Sequence, residues 1–227
     1  MASRYGILGT RQTNLFQKEQ EMTEKFIRDA LILWTTIDPI GTLAIFTAIT
    51  ANMDAKQRTK TAWKAVLYSA AILLGAIVIG QVLLSSMGIR LLSLQVAGGV
   101  ILFLFGLQMV FGSGISGTQT IEEPGHDIAV FPLAVPSIAT PGAILAVILL
   151  TDNHVYSIPT QATTAAILLG ILGITLVCML AATPILKVIG MNGASILVRV
   201  MGMILAALST EFVMEALRIP QWMGDAP

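Results

Sequence analysis

Charge is scarce in this chain. Only 11% of its 227 residues are Asp, Glu, Lys or Arg, against about 25% in ordinary soluble domains. The 13 basic and 13 acidic side chains cancel, which leaves no cationic surplus for nucleic acid. Cys178 is the only cysteine, so an intramolecular disulfide and a cysteine metal cluster are excluded. The two histidines, His126 and His154, fall in polar stretches. There is no H-E-x-x-H, no Walker motif and no nucleotide-binding glycine loop. Neither a cofactor nor a resident metal is expected. Residues 1–24, punctuated by Arg4, Arg11, Lys18, Glu19, Glu21 and Glu24, lack the apolar core of a secretory signal and read as a polar tail.

Apolar residues are abundant, at 55%. A membrane-spanning helix needs about 20 of them in succession. Six segments qualify: Phe26–Thr50, Ala62–Leu84, Ile89–Phe111, Ile128–Leu150, Thr163–Val188 and Ala194–Leu217. The expected fold is an all-α integral membrane protein with six transmembrane helices. Ala51–Lys60 reads as a polar hinge, Gly112–Asp127 as the longest internal loop, with Glu122 and Glu123, and Thr151–Gln161 as a polar connection. Residues 219–227 form a C-terminal tail.

Two of the six segments are poor continuous helices. Thr36-Ile37-Asp38-Pro39-Ile40-Gly41-Thr42 sets a carboxylate, a proline and a glycine inside the first run. Proline removes a backbone donor and pushes the residue before it out of helical dihedrals. A carboxylate at membrane depth is costly and usually faces a bundle interior or a cavity. The fourth run carries Pro132, Pro136 and Thr140-Pro141-Gly142. Pro39 and Pro141 are 102 residues apart, and Gly99 and Gly202, in the third and sixth runs, are 103 apart. At that second offset Ile101 meets Ile204, Leu102 meets Leu205, and Gln108 meets Glu211. The chain therefore reads as two three-helix repeats, 25–111 and 128–218. A repeat of three spans enters the membrane upside down the second time. Inverted repeats with breaks in corresponding helices point to a transporter with a site near the midplane.

Asp38-Pro39-Ile40-Gly41, Pro132-Leu133-Ala134-Val135-Pro136 with Thr140-Pro141-Gly142, and Arg199-Val200-Met201-Gly202 resemble the motifs of the MarC family of small inner-membrane proteins. The resemblance covers about residues 25–218. It departs at Ala44, where the family commonly has proline, and at Thr140, where it commonly has glycine. It implies a six-helix inverted repeat in the inner membrane and, in at least some members, transport of neutral amino acids.

The candidate substrate-binding residues are Asp38, Pro39, Gly41, Thr42, Pro136, Thr140, Pro141 and Gly142. Asp38 reads as the ligand of a substrate ammonium, a proton or a cation. Its plainer reading is a helix cap. The half-helices after Pro39 and Pro141 begin with amides that attract anions. Gly41 and Gly142 would permit close backbone approach, or only helix packing. Gln95, Gln108 and Glu211 are candidate polar lining or coupling residues, with hydrogen bonding between helices as the alternative. Gly98, Gly99 and Gly202 read as close helix contacts, and Trp63 as an interface anchor. An enzyme is not expected. Asp38 is the only aspartate read as deep in a span, so an aspartyl protease lacks its second carboxylate. The Gly114-Ile115-Ser116-Gly117 match to an intramembrane serine protease lacks a base. The expected function is a secondary transporter of small solutes, neutral amino acids first. The alternatives are a cation- or proton-coupled exporter, or an assembly factor without flux. The expected partners are the small-molecule substrate, the lipid bilayer and a second copy in a homodimer. Positive charge in Lys56, Arg58, Lys60 and Lys64 predicts a cytoplasmic hinge and periplasmic termini.

Overall fold

The structure is a computed structural model that describes residues 20, 22–111 and 127–218. Most of the N-terminal tail, the loop residues up to His126 and the residues after Arg218 lie outside them, as does the Gly114–Gly117 motif. The described chain is helical, without strands. We label its elements α1 (residues 22–37), α2 (Pro39–Ile49), α3 (Ala55–Ser86), α4 (Leu91–Phe111), α5 (Ala129–Ile138), α6 (Pro141–Leu150), α7 (Ile158–Leu180) and α8 (Ala182–Ala216). Among the described residues five helices are long and apolar enough to cross a membrane, and six if the bent pair α5–α6 is one span.

The breaks occur where proline chemistry demands them. Asp38, before Pro39, takes left-handed dihedrals, φ 48 and ψ 74. Aspartate tolerates that region better than most residues because its short side chain bonds locally. Phe131 and Val135 precede Pro132 and Pro136 and are extended, with φ near −130 and ψ 126. The extended region is where a residue before proline is pushed. α5 is therefore a wide, interrupted coil, and α6 leaves it at 55°. Gly190, at φ 70 and ψ 166, breaks α8, whose membrane-capable part is Ser195–Ala216.

Several boundaries differ from the sequence reading: the fifth run ends at Leu180 rather than Val188, and α8 already begins at Ala182 rather than Ala194. The hinge 51–60 is largely helix, because α3 starts at Ala55. Asp54 and Gln57 cap it reciprocally, satisfying two amides that would otherwise keep the chain open. α7 starts at Ile158 rather than near Thr163, with Ser157 as cap residue and Pro159 in the first turn. There proline costs nothing, since the first-turn amides have no helical partner.

Packing interleaves the two triplets. α2 lies on α7 and α8, and α6 lies on α3 and α4. Leu33, Ile37, Phe46, Leu73, Leu133, Leu168 and Leu172 share one core drawn from both halves. α4 and α8 form the most extensive contact and run antiparallel. A Cβ on Gly99 would lie 3.0 Å from the Ser209 carbonyl, and one on Gly106 would lie 2.8 Å from that of Gly202. The offset of 103 residues that carries Gly99 to Gly202 also carries Gly106 to Ser209.

Candidate functional site

Both breaks are capped by their own first residue. The Asp38 carboxylate accepts from the Gly41 amide at 3.0 Å, and the Ile40 amide also points at it. Thr140 Oγ1 accepts from the Ala143 amide at 2.9 Å. Aspartate and threonine do this because a side-chain oxygen satisfies an amide that the helix start leaves open. Asp38 thus caps α2, as the plainer reading has it.

The two breaks meet. Pro39 has no N–H and its break frees carbonyls of the preceding turn. The freed Thr36 carbonyl accepts from the Thr140 hydroxyl at 2.9 Å, so one break ties directly to the other. Thr42 Oγ1 lies 3.4 Å from both the carbonyl and the hydroxyl of Ser137. That is long for a hydrogen bond and weak. Thr36, Asp38, Thr42, Ser137 and Thr140 form a polar knot closed off from solvent, with Asp38 only 5% exposed. Among the described residues no ammonium or guanidinium pairs with Asp38. A buried carboxylate met only by amides is expensive unless it also serves a cationic partner.

The glycines have local reasons. A Cβ on Gly41 would fall 2.0 Å from Asp38 Oδ2, so glycine makes room for the capping carboxylate. A Cβ on Gly142 would fall 1.9 Å from Leu102 Cδ2, so glycine there lets α4 pack on α6. Pro39 is buried beside the knot, whereas Pro136 and Pro141 are exposed.

The expected polar lining of spans three and six is not part of the knot. Gln108 and Glu211 are both exposed. Gln95 is buried and donates to Glu215 at 3.1 Å, which joins the start of α4 to the end of α8. Sequence reasoning placed Thr36 in the broken stretch without a role of its own and missed Ser137; the contacts of both follow from the crossing. It also missed Asp29, which is 1% exposed and paired with Lys25 at 2.5 Å. Asp38 is therefore not the only buried aspartate of its span. The i,i+4 spacing of Lys25 and Asp29 was the available signal. Trp63 is 58% exposed on α3.

Comparison with known proteins agrees with this architecture. Residues 23–220 match the MarC family integral membrane proteins. The inner membrane protein YhgN of Escherichia coli strain K12 is 30% identical over 199 residues, covering 88% of this chain and 98% of that one. A membrane protein of Methanocaldococcus jannaschii is 34% identical over 190 residues, covering 82% and 92%. The inner membrane protein MarC of Salmonella paratyphi A is 28% identical over 197 residues, covering 81% and 89%. No solved structure matches the chain. With its spans and these relatives, it is a multi-pass inner-membrane protein that belongs to the MarC family.

Proposed function

We propose that the protein is a secondary transporter that carries small zwitterionic solutes, neutral amino acids first, across the inner membrane. One observation carries the reading: two half-helices begin at a shared, buried polar knot, one capped by an acid and the other by an alcohol. Asp38 already satisfies the first amides of α2. That leaves it to face an ammonium. The α6 start is capped by neutral Thr140, so its positive end stays available to a carboxylate. A solute with one charge of each sign matches both.

The packing supports alternating access. The antiparallel α4–α8 crossing, with its two exchanged glycine approaches, is what an inverted repeat produces. Rocking one triplet against the other would expose the knot to each side in turn. Divalent cations fit the knot less well. Such ions want about six oxygens, with carboxylates prominent among them, and among the described residues no three His, Cys, Asp or Glu side chains converge.

Purified protein in liposomes tests the reading. Uptake of radiolabelled glycine or alanine above protein-free vesicles is expected. Flux of Mg²⁺ or Mn²⁺ alone, or no flux of any of these solutes, would contradict it.

A further inference from the structure

Both ends of the bundle carry a polar contact outside the knot. Where α1 begins, the Lys25 ammonium reaches Asp29 Oδ2 at 2.5 Å, the Leu150 carbonyl at 3.3 Å and Thr164 Oγ1 at 3.3 Å, and lies 4.0 Å from the Tyr156 ring centre. Thr164 donates to Asp29 Oδ2 at 2.6 Å. Arg28 donates to the Tyr156 hydroxyl at 2.8 Å. The start of the first broken span is thus tied to α7 and to the last carbonyl of α6. At the other end, where α3 begins, Lys64 pairs with Asp127 at 2.5 Å, just before α5. That ties the start of the second broken span to α3.

We propose that these are two latches gating the polar knot, Lys25–Asp29–Thr164 from the end where α1 begins and Lys64–Asp127 from the end where α3 begins. The proposal rests on the transporter reading and adds the parts that close each side.

Three observations carry it. Each latch joins a broken span of one triplet to the middle helix of the other, the helices that must separate for the knot to open. The offset of 102 residues from Pro39 to Pro141 also carries Lys25 to Asp127, so the latches occupy corresponding places. Their burial is unequal. The Lys25 and Asp29 side chains are 14% and 2% exposed, those of Lys64 and Asp127 both 41%. The Lys25–Asp29 pair lies within α1 and meets α7 through Thr164, where removing a partner from a buried pair is costly, whereas an exposed pair contributes little. The structure is therefore shut at the α1 end and only weakly tied at the α3 end.

Asp29 adds a reason for the shut latch to release. Its Oδ1 is buried and has no hydrogen-bond partner among the described residues. An unmet carboxylate oxygen gains hydration when α1 parts from α7. The latch is held by one carboxylate oxygen and opposed by the other.

The test is a cysteine reporter. In the full chain with Cys178→Ser, Ser137→Cys places one thiol at the knot. Inside-out and right-side-out membrane vesicles are treated with a membrane-impermeant maleimide. Asp29→Asn is expected to raise labelling about tenfold from one membrane face only, the α1 end, by shifting the closed population. Thr164→Val removes both hydrogen bonds between α1 and Thr164 of α7 while leaving the ion pair whole, and keeps the test usable if Asp29→Asn fails to fold. It is expected to act in the same direction. Lys64→Met is expected to raise labelling from the opposite face, and by less. Unchanged labelling in Thr164→Val, or an equal rise from both faces, overturns the latches. The readout needs no solute. Flux is measured separately in the wild-type protein, where its absence would count against the transporter reading, while unchanged labelling in Thr164→Val alongside wild-type flux would count against the latches alone.

Discussion

Asp38 joins local backbone chemistry to the proposed function. Its left-handed backbone, its capping of Gly41 and its burial follow from the proline after it and the helices around it. Asparagine shares the tolerance for that backbone and the capping ability. Alanine shares neither. Asp38→Ala is therefore expected to lose about 1–2 kcal/mol for a left-handed residue without local bonding, and Asp38→Asn much less. Gly41→Ala sets a methyl 2.0 Å from Asp38 Oδ2, so the carboxylate must leave its cap. We expect a loss of about 1 kcal/mol, the worth of a cap. Gly170→Ala meets nothing within 4 Å and sits inside α7. It is expected to gain up to about 1 kcal/mol, the difference in helix propensity. Thermal unfolding of the four variants in detergent gives the order, and a stabilised Gly41→Ala would be inconsistent with the cap geometry.

At the scale of elements, the α4–α8 crossing depends on backbones touching. Gly106 and Gly202 each place a would-be Cβ 2.8 Å from the other's carbonyl oxygen. A carbonyl cannot rotate away as a side chain can. Gly106→Val is thus expected to cost about 1–3 kcal/mol, as overpacking does, with a lowered unfolding temperature as its measure. The α3–α5 tie makes a pH prediction. The Lys64 ammonium bonded to Asp127 holds its carboxyl below the usual carboxylate range. A lowered pKa contributes stability that is whole above the unfolded value, about 4, and fades as pH falls through the folded one. The difference in unfolding temperature between wild type and Lys64→Met should be level from about pH 7 to 5 and shrink below about pH 4. A difference that grows on acidification would contradict the pairing. Most elements were legible in the sequence, because Asp38-Pro39 and Thr140-Pro141-Gly142 punctuate otherwise apolar runs. The α3 start was legible too, in the Asp54…Gln57 spacing of a capping box, but four polar side chains nearby suggested a hinge. The partners of Thr36, Ser137 and Asp29 were not. Their partners Thr140, Thr42 and Thr164 lie 95 to 135 residues away, and only tertiary crossing brings them together.

At the scale of the whole molecule, six spans put both termini on one side. The cluster Lys56, Arg58, Lys60 and Lys64 stands on the first turns of α3, beside two membrane entries. We expect that end to be cytoplasmic and the termini periplasmic, by the positive-inside rule. A C-terminal reporter active only in the cytoplasm should stay silent, and a strong signal would reverse the assignment. The central claim is that the crossing of the two breaks is a solute site whose charge is Asp38. Its most direct test is glycine and alanine flux into liposomes by wild type and Asp38→Asn, at matched reconstituted amounts. Asparagine keeps the size and the cap and removes the charge. The account predicts flux in wild type and none in the variant, with the variant's unfolding temperature close to wild type. Equal flux in the two proteins would contradict it.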